Sequence, residues 1–287
     1  MCGLHFYRSK TKLGAAQIVG YVPAGPSLLI YLDVGALRQA GLIELLAGSK
    51  VAEDPEYRAF VEQTQFDYRK DLYAVAASFG ADEAFYVIHG RFDWNALKSY
   101  ALLAGGACWD AACSAPSSRP NRYLSFMPIR TDLMVLVVSP SRGAVRTAVT
   151  RPRRSAKEAQ PDQPVWISIP PAVLRKPDSF PSGTQLFAKA LQDSDNVTFS
   201  IAPSENRFQA RLDVLCRSTE EAVLIEAQFE RITDVLRKLI AGNGQSPNPR
   251  DLSGVLTSGA FRREERRVRG TWPIEKAFLE TIAGGSL

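Results

Sequence analysis

The chain has 287 residues, of which 45% are hydrophobic and 23% charged, and its formal net charge is +5 at pH 7. These values are typical of a globular protein that buries a sizeable core without metals or a disulfide framework. No stretch of about 18 consecutive apolar residues occurs, which excludes a transmembrane helix within the sequence.

The N-terminus has the order expected at the end of a membrane anchor. Residues 1–7 are apolar and aromatic, and residues 8–12 are basic. Cys2-Gly3 also resembles the start of a lipid-modified chain whose leader is missing, and a frayed terminus is the alternative. We therefore expect residues 1–14 to be flexible or close to an anchor. The expected location is the cell envelope or periplasm, with the cytoplasm as the alternative.

Alternating apolar residues predict strands in the first half, and helical spacing with capping residues predicts helices. In chain order, the predicted elements are strands at 15–22 and 27–34, helices at 35–47, from Pro55 and at 67–79, a strand at 84–92, a helix at 94–103 capped by Asp93, strands at 122–130 and 133–138, and a helix from Pro140 to residue 149.

Residues 151–163 are polar, charged and bounded by prolines, which predicts a linker. The elements predicted after it are a strand at 165–169, a helix at 184–191, strands at 196–202 and 208–215, a long helix with a capping box of Ser218 and Glu221, strands at 254–258 and 261–270, and a last helix opened by Trp272-Pro273.

Three segments recur in the same order in both halves. Residues 27–38 resemble 164–175 as a strand that runs into a helical turn ending in Leu-Arg. A strand leading to a capped helix, and a proline near the last helix of each half, follow in both. We therefore predict an α+β fold of two similar lobes from an internal repeat, at 15–150 and 164–287. Each lobe is predicted to be an antiparallel-rich sheet with helices on one face. The alternative is that any α+β chain gives similar strings of elements.

Cys108 and Cys113 form a candidate disulfide. Four residues separate them in a segment rich in small residues, so the loop closes easily in an oxidising compartment. The alternative is a pair of unlinked thiols. Cys216 follows a predicted strand and is expected to be a small buried side chain.

No catalytic residue, cofactor site or metal site is predicted. The two histidines, His5 and His89, stand apart without a second metal ligand nearby. No phosphate-cradling glycine loop and no Gly-x-Ser-x-Gly motif occurs. Asp33 and Asp213 are expected to be hydrogen-bonded residues at a strand edge or turn, with an acid in a cleft as the alternative.

Five arginines near the C-terminus form a candidate basic surface: Arg262, Arg263, Arg266, Arg267 and Arg269. Alternation along one predicted strand places Arg263, Arg267 and Arg269 on one face, and Arg262 and Arg266 on the other. A glutamate lies between arginines on each face. This mixture favours an exposed, salt-bridged edge strand that resists aggregation. A surface for anionic lipid or nucleic acid is the alternative.

Three short segments carry a resemblance that spans nearly the whole chain: residues 31–38, Gly90-Arg91-Phe92-Asp93 and Gly270-Thr271-Trp272-Pro273. Together they resemble a family of uncharacterised bacterial envelope-type proteins with an N-terminal anchor and a repeated α+β body. The resemblance implies a location in the envelope and brings no catalytic residues.

The sequence favours a non-enzymatic binding or structural domain of the bacterial cell envelope. The alternatives are a hydrolase or other enzyme with an unrecognised carboxylate or serine site, and a cytoplasmic regulatory or nucleic-acid-associated module. No cofactor is expected. The expected partner is another envelope protein or a membrane surface. Nucleic acid is disfavoured because no aromatic residues interleave with the arginines.

Overall fold

The computed structural model describes five stretches of the chain: residues 13–43, 55–155, 161–176, 184–204 and 207–283. Cys2 and His5, on which the predicted anchor region partly rests, lie outside these stretches. So do the end of the helix predicted at 35–47 and the middle of the predicted linker.

The described residues form a mixed helix and strand structure. The strands are β1 (Leu28–Asp33), β2 (Leu72–Phe79), β3 (Ala84–Gly90), β4 (Ala107–Trp109), β5 (Ala112–Pro116), β6 (Tyr123–Arg130), β7 (Leu133–Ser139), β8 (Val165–Ile169), β9 (Asn196–Ser204), β10 (Arg207–Leu215), β11 (Ala260–Glu264) and β12 (Arg267–Ile274). The helices are α1 (Ala15–Val19), α2 (Val34–Gln39), α3 (Pro55–Thr64), α4 (Tyr68–Asp71), α5 (Trp94–Leu103), α6 (Ala144–Ala148), α7 (Pro171–Leu174), α8 (Gln185–Ala190), α9 (Thr219–Gly242), α10 (Leu252–Thr257) and α11 (Lys276–Ala283).

All twelve strands belong to one sheet, in the order β11-β12-β10-β9-β8-β1-β2-β3-β7-β6-β5-β4. Neighbouring strands are antiparallel throughout. The first half of the chain meets the second where β1 pairs with β8. The prediction of one sheet in each lobe is therefore wrong, because main-chain hydrogen bonds continue across this seam.

The strand order on either side of the seam follows one pattern. Outward from the centre, the first half runs β1-β2-β3-β7-β6 and the second runs β8-β9-β10-β12-β11. The hairpin of β4 and β5 extends the first half further. This order is compatible with the predicted internal repeat, which stays a prediction together with the domain boundaries.

The two sides of the sheet are covered differently. On one side, called the α9 side, α9 packs through Ile225 and Phe229 on Leu212 and Val214 of β10. The α5 residue Leu97 packs on Phe126 and Met134 in the first half, and strand alternation places these two on the same side. Helices therefore cover the α9 side in both halves.

The other side, called the α6 side, is covered by helices in the first half. There Ile18 of α1 and Val145 of α6 pack on Val87 and Val135. The helix that follows β12 does not repeat this arrangement, because Phe278 of α11 packs into the core of the α9 side. The α6 side of β9 to β12 is consequently left without a helix among the described residues.

Three predicted elements are of the wrong type. Residues 15–22, predicted as a strand, contain helix α1, and residues 254–258 lie largely in helix α10. Both segments contain β-branched residues, but burial of Ile18 and capping of α10 by the Asp251 side chain outweigh that preference. Residues 67–79, predicted as a helix, contain the short helix α4 and then β2, which lies between β1 and β3.

Other predicted boundaries shift. The helix predicted from Pro140 begins at Ala144. The strand predicted at 261–270 is a hairpin of β11 and β12, and its turn contains Glu265 with a positive φ of 50°. Trp272-Pro273 lies within β12 rather than opening the last helix. By contrast, α3 begins at Pro55, and Asp93 and Ser218 cap α5 and α9 as predicted.

The start of the predicted linker is packed against the first half. The backbone N–H of Ala24 donates to the carbonyl of Pro152 at 2.8 Å, and that of Arg154 donates to the carbonyl of Val22 at 3.0 Å. The Arg153 guanidinium lies 4.8 Å from the centre of the Tyr21 ring. Residues 151–154 are thus part of the folded body, because they satisfy backbone groups that would otherwise stay unpaired.

No helix among the described residues is both long enough and apolar enough to cross a bilayer.

Candidate ligand-binding site

The uncovered part of the α6 side forms a polar concave surface with a cavity of about 710 Å³. Four strands and the end of the predicted linker contribute its polar lining, which includes Gln163, Asn196, Thr198, Ser200, Gln209, Arg211, Asp213, Arg262, Arg267, Arg269 and Thr271. We call the part formed by Arg211, Asp213, Arg262, Arg267, Arg269 and Thr271 the arginine face.

Strand alternation explains why these side chains share one side of the sheet. On β10, Arg211 and Asp213 alternate with the buried residues Ala210, Leu212 and Val214 of the α9 side. Cross-strand register then brings Arg211 opposite Thr271 and Asp213 opposite Arg269. A polar row on one strand therefore meets polar rows on its neighbours.

The turn between β11 and β12 regroups the five arginines of the candidate basic surface. Arg262, Arg267 and Arg269 line the cavity. Arg263 is on the α9 side, where its Nε lies 3.4 Å from Oε2 of Glu226 on α9. Arg266 is in the turn and donates to the backbone carbonyl of Arg217 at 3.2 Å. The grouping expected for one continuous strand is wrong because the turn interrupts the alternation.

Two carboxylates neutralise two of the arginines on the arginine face. Asp213 lies 2.5 Å from a terminal nitrogen of Arg267 and 3.4 Å from Nε of Arg269. Glu264 lies 2.7 Å from a terminal nitrogen of Arg269. Asp213 is therefore hydrogen-bonded, as expected, but it lies within the interior strand β10 rather than at a strand edge or turn. Its negative charge is engaged within the sheet.

Arg211 and Arg262 have no such partner among the described residues. The Nε of Arg211 donates to the side-chain oxygen of Gln209 at 2.8 Å, which leaves its charge unneutralised. Arg262 is exposed and lies directly opposite Arg269 in the register of β11 and β12. Four guanidinium groups thus face only two carboxylates, and positive charge is in excess.

A second cluster surrounds His89 at the end of β3. Nε2 of His89 lies 3.6 Å from a carboxylate oxygen of Asp132, and its ring packs edge-on against Tyr73 with centroids 5.2 Å apart. Burial lowers the pKa of His89, and the charge of Asp132 opposes that shift only in part. Asp33 accepts a hydrogen bond from the backbone N–H of Ala36 at 2.8 Å and so caps α2, as expected of a turn residue.

Within the described residues, no three His, Cys, Asp or Glu side chains are grouped so that they could hold a metal ion. The groups that line the cavity are guanidiniums, amides, hydroxyls and one carboxylate. This set offers hydrogen-bond donors and acceptors, and its guanidiniums carry positive charge.

Cys108 and Cys113 lie opposite each other in the hairpin of β4 and β5, with their sulfur atoms 2.06 Å apart. The segment expected to form a loop instead forms this hairpin, which lies at one edge of the sheet. That the bond forms in the native compartment stays a prediction. Cys216 is buried, and burial raises the pKa of its thiol to about 11.

Sequence reasoning did not single out Arg211, Gln209 and Thr271. The signal was present in the alternation of polar and apolar residues along 208–215, which predicts a strand with one polar side. That this side faces a cavity rather than open solvent depends on the neighbouring strands, which sequence spacing does not identify.

No family model matches the chain, and no curated protein sequence matches it either. Its fold resembles that of TP0453, a Treponema protein. Crystal form III of TP0453 has 12% sequence identity and a TM-score of 0.51 over 93% of this chain and 96% of that chain. Crystal form I has 14% identity and a TM-score of 0.51 over 93% and 95%. At this identity the likeness shows a shared fold alone.

Proposed function

We propose that this chain is a non-enzymatic binding domain of the bacterial cell envelope, and that the arginine face is where its ligand or partner docks. The observation that carries the proposal is the cavity of about 710 Å³ on the α6 side of β9 to β12. Clefts of several hundred Å³ with a few converging polar groups are the usual form of a binding site.

The position of the arginine face supports a role in binding. β10 pairs with β9 on one side and β12 on the other, so the side chains of Arg211 and Asp213 project from a strand hydrogen-bonded along both edges. Groups on such an element start from a fixed backbone position, which makes a site more precise than one built on a loop. The arrangement therefore suits recognition by groups that are already in place.

Two observations support a location in the envelope. Residues 1–12 have the composition of an anchor end followed by a basic flank. The paired Cys108 and Cys113 suit an oxidising compartment, in which disulfides persist. Anchoring through an N-terminal leader is part of the proposal.

An internal duplication is a further part of the proposal. Residues 15–150 and 164–287 would descend from one copied unit, joined by 151–163. The equal strand order on both sides of the seam supports this origin. The different packing of α6 and α11 would then be the change that uncovered the arginine face, because the equivalent side is covered in the first half.

Two experiments test the proposed function. The first separates cytoplasm, periplasm and membranes of cells that produce the protein from its natural gene, and the protein is expected in an envelope fraction. Recovery in the cytoplasm would contradict the location. The second compares thermal stabilisation of the wild type and Arg211→Gln by soluble envelope components, including neutral oligosaccharides. Stabilisation that the substitution abolishes supports binding at the arginine face.

A further inference from the structure

We infer that the arginine face binds a phosphoryl group, held by Arg211 on one flank of β12 and Arg262 on the other. This inference rests on the proposed function and names the chemical class of its ligand. The two arginines belong to β10 and β11, the strands that pair with β12 on its two sides.

Positive charge is in excess on the arginine face. Asp213 and Glu264 are both engaged by Arg267 and Arg269, at distances between 2.5 and 3.4 Å. No described carboxylate lies within ion-pair distance of Arg211 or Arg262. Both of these side chains are exposed, so they are available to a ligand in the cavity that they line.

The register of the hairpin of β11 and β12 brings two arginines together. Arg262 and Arg269 occupy directly opposed positions on β11 and β12. Like charges in opposed positions destabilise a pair of strands. Asp213 and Glu264 already offset the charge of Arg269, so the charge left for an anion to offset at this pair is that of Arg262.

The donor geometry of the guanidinium groups indicates the type of anion. Guanidinium groups donate two parallel hydrogen bonds to an oxyanion, and this fork suits phosphate and carboxylate. The hydroxyl of Thr271, opposite Arg211, donates to the carbonyl of Ala260 at 3.4 Å, a long and weak bond that an oxyanion can replace. Donors on three strands match the several oxygens of a phosphoryl group better than the two of a carboxylate.

The size of the cavity indicates that the phosphoryl group is attached to a larger body. About 710 Å³ exceeds the space that one phosphate fills. The remaining lining includes Asn196, Thr198, Ser200 and Gln209, which offer amide and hydroxyl groups to a polar body. A phospholipid headgroup and a free phosphate ester share this chemistry, and the experiment distinguishes them.

The test is calorimetric titration at low ionic strength with inorganic pyrophosphate. A second arm measures co-sedimentation with vesicles of phosphatidylglycerol and phosphatidylcholine, against vesicles of phosphatidylcholine alone. Pyrophosphate binding without vesicle binding identifies a free phosphate ester, and binding in both arms identifies a lipid headgroup. Absence of binding in both arms would overturn the inference.

Variants locate the site. Arg211→Gln and Arg262→Gln are each expected to weaken pyrophosphate binding about tenfold or more, because each removes a charge-assisted hydrogen bond. Arg231→Gln, an exposed arginine on α9, changes the net charge equally and is the matched control. Equal losses in all three variants would show non-specific attraction and overturn the inference. Melting curves monitored by circular dichroism check that the variants remain folded.

A substitution that removes a negative charge is expected to change pyrophosphate binding in the opposite direction. Asp213→Asn removes a negative charge that competes for Arg267 and Arg269, so it is expected to tighten pyrophosphate binding. Unchanged or weaker binding would contradict the role given to these arginines. If only a neutral oligosaccharide binds, and Arg211→Gln abolishes that binding, the phosphoryl inference fails while the proposed function stands.

Discussion

The rings of Tyr31 and Trp166 stack across the seam between the two halves of the chain, with centroids 5.6 Å apart and planes inclined by 25°. The two residues are paired in the register of β1 and β8, and both are almost fully buried. Burial and the nearby charge of Asp33 raise the pKa of the Tyr31 hydroxyl to about 12. Because Tyr31 and Trp166 belong to different halves of the chain, their buried stacking stabilises the seam on the α6 side.

Trp166→Ala is expected to lower the free energy of unfolding by about 3–5 kcal/mol, because it leaves a large cavity under the sheet and removes the stacked ring. Urea unfolding followed by circular dichroism measures the change. Trp109→Ala is the control, since 42% of Trp109 is exposed, and it is expected to change stability by only about 0.5 kcal/mol. Similar losses in the two variants would contradict the central role of the seam.

The pair Cys108 and Cys113 predicts the thiol content of protein taken from its native compartment. Unfolded without reductant, it is expected to show at most two free thiols, those of Cys2 and Cys216, and only one if Cys2 carries a lipid. Four free thiols would contradict the bond. The double substitution to serine is expected to cost about 2 kcal/mol of stability, the value for closing so short a loop. A reductant should then destabilise the wild type but not the double variant.

Ser218 is expected to stabilise the long helix α9 through its N-cap. Its hydroxyl accepts a hydrogen bond from the backbone N–H of Glu221 at 3.2 Å, and the Glu221 carboxylate accepts one from the N–H of Arg217 at 2.7 Å. Ser218→Ala should cost about 1 kcal/mol of unfolding free energy. Ser218→Asp preserves a capping oxygen and should cost much less, as thermal melts of the two variants can show. Equal melting temperatures would argue against the cap.

His89 predicts a dependence of stability on pH. Burial holds its pKa in the folded protein below the unfolded value, although the charges of Asp132 and Asp33 oppose that effect. The neutral ring therefore contributes stability above the unfolded pKa of about 6.5, and this contribution is lost as the pH falls through the folded pKa.

The variant His89→Gln isolates this effect. Wild-type protein should lose stability between roughly pH 7.5 and roughly pH 5.5, and the variant should lose less over the same interval, because glutamine does not titrate there. Urea unfolding at several pH values gives both slopes. Parallel slopes for the two proteins would refute the assignment to His89.

Much of the local structure could be predicted from the sequence. Proline at the first position of α3, and the capping residues Asp93 and Ser218, lie where simple backbone chemistry requires them. The hairpin of β9 and β10 follows from alternation over two runs separated by a polar turn. Such signals need only a few neighbouring residues, and a single sequence contains all of them.

The predicted secondary structure is wrong where contacts between residues distant in sequence outweigh the local preference for helix or strand. Residues 72–79 contain alanines and follow the helix cap Asp67, which suggests a helix, yet β1 and β3 supply hydrogen-bond partners on both sides. Small side chains such as Ala74 and Ala76 suit this central strand because α1 packs close above it. No pattern within the segment reveals those neighbours.

One row of paired residues shows what the sequence determined and what it did not. In register across the sheet lie Thr271, Arg211, Ser200, Trp166 and Tyr31. The sequence determined the polarity of each position, because alternation along a strand is a local property. Only the tertiary structure decided which part of the row is covered. In the part of the row that α1 and α6 cover, the side chains are aromatic and buried. In the second half α11 packs on the α9 side instead, and the row there is polar and faces the cavity.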